Sequence, residues 1–274
     1  MFEDAELPKL SESRQSGYKK ARERLASVML RPVDSLALVE LQSVVNREAT
    51  SYYTARAMRD LLSNLYQKAM ADQVATVNLA AHLILPELRE EEPEPFSPAE
   101  VSALWQAWTD GDRFVGYILL MIYSGMMPGE LLEARKDTID LEACEIRGAG
   151  KKTKTRKEAA IVFPQFMRPV LEDLLTITTD NGRSRNEKLV CMNKDRWYAE
   201  YYAALERAGT RRLPPYSCRH TTGTAAAQKN LSAPIIQQIM RHAKITTSQR
   251  YIHLDASAAH SGVEQLDPAE AAGG

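Results

Sequence analysis

The feature that most constrains this chain is a break. Between Leu88 and Phe96 the sequence reads LREEEPEPF, with four glutamates, two prolines and no apolar periodicity. Proline removes backbone donors and clustered like charges repel, so neither a helix nor a strand runs through such a stretch. It divides the 274 residues into a first segment over 1–87, a linker over 88–96, a second segment over 97–258 and a tail over 259–274. Two domains suit this length, at roughly 100–200 residues each.

The first segment is helical by pattern. YKKARERLASVML carries Ala21, Leu25, Val28 and Met29 at helical spacing with charge on the opposite face. Pro32 ends it, and Asp34-Ser35 is expected to cap a second helix reaching about Val45. Thr50-Ser51 precedes a long helix expected to turn Leu61, Leu62, Leu65 and Met70 inward, and a shorter helical piece ends before Pro86.

The second segment opens with Ser97-Pro98-Ala99-Glu100, a capping box with proline at the first helical position. A helix through Trp108 and the apolar helix FVGYILLMIYSG follow. The pieces CEIRG and AAIVFP flank the loop GAGKKTKTRKE, which predicts a β-hairpin with a basic tip. Helices are expected over 169–175, 194–208, 218–229 and 233–242. The fold class is therefore mainly α with a small β-hairpin or sheet, an α+β chain.

Charge separates along the sequence. The net charge is −1, which by itself argues against a polyanionic partner. Residues 145–250, however, hold 20 basic and 9 acidic side chains, whereas residues 1–96 hold 12 and 15. A basic block of this size points to a polyanion, although a solvated surface balanced by distant acids has the same composition. Cys144, Cys191 and Cys218 are too widely spaced for a disulfide framework or a cysteine-rich zinc module. No apolar run approaches the ~18 residues of a membrane span, and MFEDAELPKL lacks the basic and apolar regions of a signal peptide. A soluble, cytoplasmic chain is expected.

Three places carry candidate chemistry. Five of the seven residues of KKTKTRK, 151–157, are basic; such a tip is either an exposed charged turn or a probe for phosphates. In PPYSCRHTTG, Pro214-Pro215 starts a helix that puts Arg219 and His220 near an end already favourable to anions. Arg219 can grip two phosphate oxygens there, or be a surface arginine beside a core histidine. Finally, an apolar helix ends at His242, and Tyr251 stands nine residues later. Taken singly, each reads as a helix-end histidine and a packing tyrosine.

Together, R-H-T … H-x8-Y-x-H resembles the C-terminal signature of the tyrosine recombinases, the phage integrase family. YSGMMPGELLEARKDTIDL resembles that family's first box, and the basic hairpin lies between the two boxes as it does in the family. The resemblance covers about residues 97–255, and more loosely the N-terminal helices, as a core-type DNA-binding domain ahead of a catalytic domain. It implies DNA cleavage by a tyrosine hydroxyl, a 3′-phosphotyrosyl link, and rejoining by a 5′-hydroxyl, without ATP, metal or other cofactor.

By this resemblance Tyr251 would be the nucleophile, Arg219 would clamp the scissile phosphate, and His242 would bind a phosphate oxygen. Lys154, with Lys152 as the alternative, would protonate the leaving oxygen, and Glu130 would support the site. Two positions depart from the family. Met127 stands where the first arginine belongs, which leaves catalysis weakened or supplied with charge by another cation such as Arg135 or a hairpin residue. Tyr216 stands at the histidine of H-x-x-R; it can donate a hydrogen bond but is not a base near neutral pH.

The expected function is site-specific recombination, integration or excision, by a protein of a mobile element or prophage. The alternatives are a catalytically impaired relative that binds or regulates DNA, and a type IB topoisomerase-like nicking and religating enzyme. The expected partner is double-stranded DNA, held by the two domains closing as a clamp. Lys19, Lys20, Arg47, Arg56, Arg59, Lys151, Lys152, Arg156, Lys157, Arg241 and Lys244 are the expected DNA contacts. A dimer to tetramer on DNA is implied, with the tail exchanged between protomers, as is a DNA-bending or directionality factor in a bacterial nucleoid. An N-terminal arm-binding domain is not visible in the sequence, as in a truncated chain or an arm-less recombinase.

Overall fold

The computed structural model describes residues 7–88, 94–150, 159–178 and 187–252. The chain forms two compact units, residues 1–91 and 92–274.

The first unit is built from α1 (Glu12–Arg24), α2 (Ala26–Met29), α3 (Leu38–Glu48) and α4 (Tyr52–Ala71). Leu25, Leu41, Val45, Met58 and Leu62 are sealed in its core. Each such side chain contributes about 1.5–3 kcal/mol by leaving water. Polar ties fix the helix register: Asn64 donates to the Tyr18 hydroxyl at 2.9 Å, and the Gln42 amide bonds both the N–H and the C=O of Ile84. Ser51 caps α4 by accepting from the Thr54 amide at 3.2 Å.

Two local expectations are corrected here. Asp34 and Ser35 lie in a separate 3₁₀ turn, and α3 starts after Ala37, whose N–H is satisfied by the Glu40 carboxylate at 3.1 Å. Met70 is 40% exposed, because the last turn of α4 extends past the partners that cover Leu61 and Leu62. The piece before Pro86 is a 3₁₀ turn over Leu79–His82.

In the second unit α5 (Pro98–Thr109) begins with the capping box the sequence predicts. Ser97 Oγ accepts from Glu100 N, and the Glu100 carboxylate accepts from Ser97 N at 2.8 Å. The unbroken apolar run makes α6 (Val115–Ser124) the central helix, with nine of its ten residues buried. It stops at Gly125, whose φ of 63° is a left-handed helix end that glycine adopts without strain. Around it lie α7 (Pro128–Leu131), α8 (Arg168–Leu175), α9 (Lys194–Arg207), α10 (Tyr216–Gln228), α11 (Ala233–Met240) and α12 (Ile245–Gln249).

Between α7 and α8 the chain forms an antiparallel sheet in the order β1 (Ile139–Asp140), β2 (Glu145–Ile146), β3 (Ile161–Val162). Ile146 faces Ile139 on one side and Ile161 on the other. The hairpin expected from CEIRG and AAIVFP is thus β2–β3, and β1 adds a third strand that two residues are too short to announce. The fold is mainly α with a small sheet. The hairpin tip and the tail lie outside the described residues.

Candidate functional site

Helix α10 organises the site. Positions i, i+3, i+4 and i+7 share one face of a helix, and here they are Tyr216, Arg219, His220 and Gly223. The helix is pinned to α6 by Thr222, whose hydroxyl donates to Ile122 O at 2.6 Å. It is pinned to the chain entering α5 by Thr221, whose hydroxyl accepts from Phe96 N at 2.9 Å.

Arg219 is 1% exposed. Its guanidinium donates to the carbonyl of Gly125 at the end of α6 and to that of Met240 at the end of α11. The ends of α6 and α11 are thereby held to the first turn of α10 by one arginine. A charged group so deep costs several kcal/mol unless it is hydrogen-bonded, and both carbonyls lie where helices leave acceptors unsatisfied.

Glu130, on α7, is equally buried. Its Oε2 accepts from the backbone N–H of Met127 at 2.9 Å and from Arg241 Nη2 at 2.9 Å. Arg241 was expected among the DNA contacts. It is 8% exposed, in the left-handed conformation (φ 52°, ψ 42°) that closes α11. Its other donor contacts include Ile239 O at 3.1 Å and Gly125 O at 3.5 Å.

His242 follows directly. Its Nδ1 pairs with the Ser248 hydroxyl at 2.8 Å, and its carbonyl accepts from Gln237 Nε2 at 3.1 Å. Tyr251 comes just after α12 and donates its backbone N–H to Ser248 O at 3.2 Å, so Ser248 orients both residues. The Tyr251 and His242 rings are nearly parallel with centroids 6.3 Å apart.

The Tyr251 hydroxyl lies 3.1 Å from Nδ1 of His220. Tyr216 packs edge-on against the His220 ring, with centroids 4.8 Å apart. The Tyr251 ring rests on Gly223 so closely that a Cβ there would fall 2.7 Å from ring carbons. Burial raises the Tyr251 phenol above its ordinary value, the Tyr216 phenol adds to this, and the charges of Arg219 and Arg250 oppose it. The phenol is therefore protonated at neutral pH, and using it as a nucleophile would require a base.

The structure thus brings Tyr251, Arg219, His242, Tyr216 and Glu130 into one connected region of the second unit. Lys154, Lys152, Lys151, Arg156 and Lys157 lie outside the described residues. Arg135 is exposed and grips Asp137 with two bonds of 2.9–3.0 Å and Glu187 with one of 3.0 Å. Lys244 is exposed ahead of α12. In the first unit Lys19 and Lys20 are exposed, Arg47 pairs with Glu48, and Arg56 and Arg59 flank Asp60. Among the described residues no cluster of His, Cys, Asp and Glu could hold a metal, and no helix is long and apolar enough to cross a membrane.

Sequence reasoning missed His220 as the partner of the tyrosine hydroxyl and Gly223 as its seat. The only signal was their spacing of four and seven residues from Tyr216. It named Arg241 as a DNA contact but not as a buried partner of Glu130, because a basic residue in a basic segment reads as surface.

A sequence model of the phage integrase family matches residues 96–258. The tyrosine recombinase XerC of Alcanivorax borkumensis is 26% identical over 270 residues, covering 90% of this chain and 85% of that protein. The tyrosine recombinase XerA of Saccharolobus solfataricus is 24% identical over 221 residues, covering 78% and 72%. Among solved structures, the Tn1549 transposon integrase in complex with a circular intermediate DNA superposes with a TM-score of 0.72 at 19% identity, covering 97% of this chain and 96% of that one. The lambda integrase tetramer bound to a Holliday junction superposes at 0.68 with 16% identity, covering 89% and 72%.

Proposed function

The chain belongs to the phage integrase family, and from that premise we propose that it is a site-specific DNA recombinase that cuts and rejoins duplex DNA through Tyr251. The observation that carries this reading is the Tyr251 hydroxyl held 3.1 Å from His220, in a site that also contains the buried guanidinium of Arg219. The Xer relatives and the DNA-bound integrase folds support it.

In the proposed first step the Tyr251 oxygen attacks the scissile phosphorus. The bond between phosphorus and the 5′-oxygen breaks, and a 3′-phosphotyrosyl link forms. His220, with its own proton on Nε2, accepts the phenol proton at Nδ1. Arg219 and His242 stabilise the charge gathering on the non-bridging oxygens, where preorganised donors act most strongly. Lys154, or Lys152, delivers a proton to the leaving 5′-oxygen. A 5′-hydroxyl from the other duplex then reverses these steps on the phosphotyrosine. One phosphoester replaces another throughout, so the proposed cycle needs no ATP, metal or other cofactor.

In this reading the first unit is a core-type DNA-binding domain and residues 97–258 are the catalytic domain. Lys19, Lys20 and the hairpin lysines contact phosphates, and binding weakens with salt. Assembly as a dimer or tetramer on DNA follows the lambda integrase precedent.

The test uses a randomised library of nicked duplexes. Cleavage beside a nick releases a short fragment and traps the covalent protein–DNA adduct, whose DNA is recovered and sequenced. A shared core sequence among adducts, followed by strand exchange between two duplexes carrying it, is the expected result. Sequence-independent relaxation of plasmids would favour a topoisomerase-like enzyme instead. Specific binding without adducts would favour the impaired relative that Met127 suggests.

A further inference from the structure

We propose that Arg241 supplies the second guanidinium of the scissile-phosphate site, in place of the arginine absent at position 127. This assignment rests on the recombinase reading above.

Four observations converge on it. First, Glu130 Oε2 accepts at 2.9 Å from both the Met127 backbone N–H and Arg241 Nη2. The head of Arg241 therefore lies beside residue 127, although 114 residues of sequence separate them. Second, Arg241 and Arg219 reach the same acceptor, the carbonyl of Gly125, so the two guanidinium groups are neighbours. Third, residue 241 holds a positive φ of 52°. A non-glycine residue is strained in that conformation, and strain of this kind concentrates where a side chain must be aimed. Fourth, the side chain is only 4% exposed. Placing a long, charged group there is a poor route to stability, since a buried ion pair is often no better than apolar packing.

Charge at this place has a clear use. The phosphate gains negative character on its equatorial oxygens as the tyrosine attacks, and a planar guanidinium with several donors suits two of them. Met127 cannot serve. Arg135 does not offer an equivalent charge: it is exposed and bonded to two carboxylates, Asp137 and Glu187, a net negative group, whereas Arg219, Arg241 and Glu130 together carry a net positive charge. Arg241 arrives from the opposite end of the catalytic segment, immediately before His242, so one short stretch presents two phosphate ligands. Glu130 then orients Arg241 rather than merely balancing it.

The experiment compares single-turnover cleavage of the nicked duplex recovered above with the same duplex carrying an uncharged methylphosphonate at the scissile position. Arg241→Gln is expected to slow cleavage of the phosphate at least ~10²-fold while DNA affinity stays within a few-fold. On the methylphosphonate, which has no charge to neutralise, wild type and variant should differ by no more than a few-fold. Equal losses on both substrates would make Arg241 a structural residue and overturn the assignment, as would unimpaired cleavage of the phosphate.

Arg241→Gln removes the cationic partner of buried Glu130, so the swap Met127→Arg/Arg241→Gly is measured beside it. This variant keeps one guanidinium and relieves the left-handed strain. Recovery of most of the cleavage lost in Arg241→Gln is expected. A swap variant that folds and binds DNA but remains as slow as Arg241→Gln would overturn the assignment. Failure of the wild-type protein to form an adduct on any duplex overturns the recombinase reading itself, and this assignment with it. An adduct formed equally fast by wild type and Arg241→Gln overturns the assignment alone.

Discussion

His220 Nδ1 stands 3.1 Å from the Tyr251 hydroxyl, across 31 residues of sequence. His220 is also one helical turn beyond Tyr216, the residue at which the family's H-x-x-R motif would place its histidine. An imidazole able to act as the base that Tyr216 cannot be thus stands one turn along the same helix face.

If His220 takes the phenol proton, His220→Asn should reduce cleavage by ~10²–10⁴-fold with DNA binding retained. The pH profile separates this from a packing defect. Burial raises the Tyr251 phenol, so the uncatalysed route through free phenolate gains rate with pH and keeps gaining beyond the ordinary phenol value of about 10. Wild-type cleavage should flatten below that value, whereas His220→Asn should go on rising through it. Parallel profiles would remove His220 from the proton path.

Gly223 sets the position of the Tyr251 ring. A methyl group at 223 would come within 2.7 Å of the Tyr251 ring, and misplacing a reacting group by about 1 Å can cost ~10²-fold in rate. Gly223→Ala should cut cleavage by that order. The thermal midpoint should hold or rise slightly, because alanine is favoured over glycine in a helix interior by about 0.8–1 kcal/mol. A variant with unchanged activity would show that Tyr251 does not react from this seat.

Glu100 predicts an acid limb of stability. Its carboxylate accepts from Arg211 Nε at 2.7 Å and Nη2 at 2.8 Å, besides closing the capping box. These bonds hold its pKa down at about 2, below the ~4.3 of an unfolded glutamate. A depressed folded value means stability that is present above the unfolded value and lost as pH falls through the folded one. Denaturant titrations from pH 5 to about 2 should show wild-type stability falling more steeply than that of Glu100→Gln. Identical slopes would mean that Arg211 does not hold the carboxylate in solution.

Local chemistry was readable before any coordinates. The Ser97–Glu100 box starts α5, and an apolar run bounded by Gly125 makes α6, because caps, glycine ends and periodicity act within a few residues. The order of the boxes likewise pointed to Tyr251, Arg219 and His242. Asp34-Ser35 misled, since Glu40 already satisfies the start of α3 from inside the helix. Strand β1 was invisible, because two residues carry no alternation. The Tyr251–His220 and Arg241–Glu130 contacts span 31 and 111 residues. They depend on how helix ends meet, which no local pattern encodes.

The most direct measurement is to locate the DNA–protein bond. The trapped adduct is digested and the nucleotide-bearing peptide sequenced by mass spectrometry. A 3′-phosphoryl nucleotide on Tyr251, and loss of the adduct in Tyr251→Phe, is the predicted result. An adduct on any other residue, or one that persists in Tyr251→Phe, would contradict it.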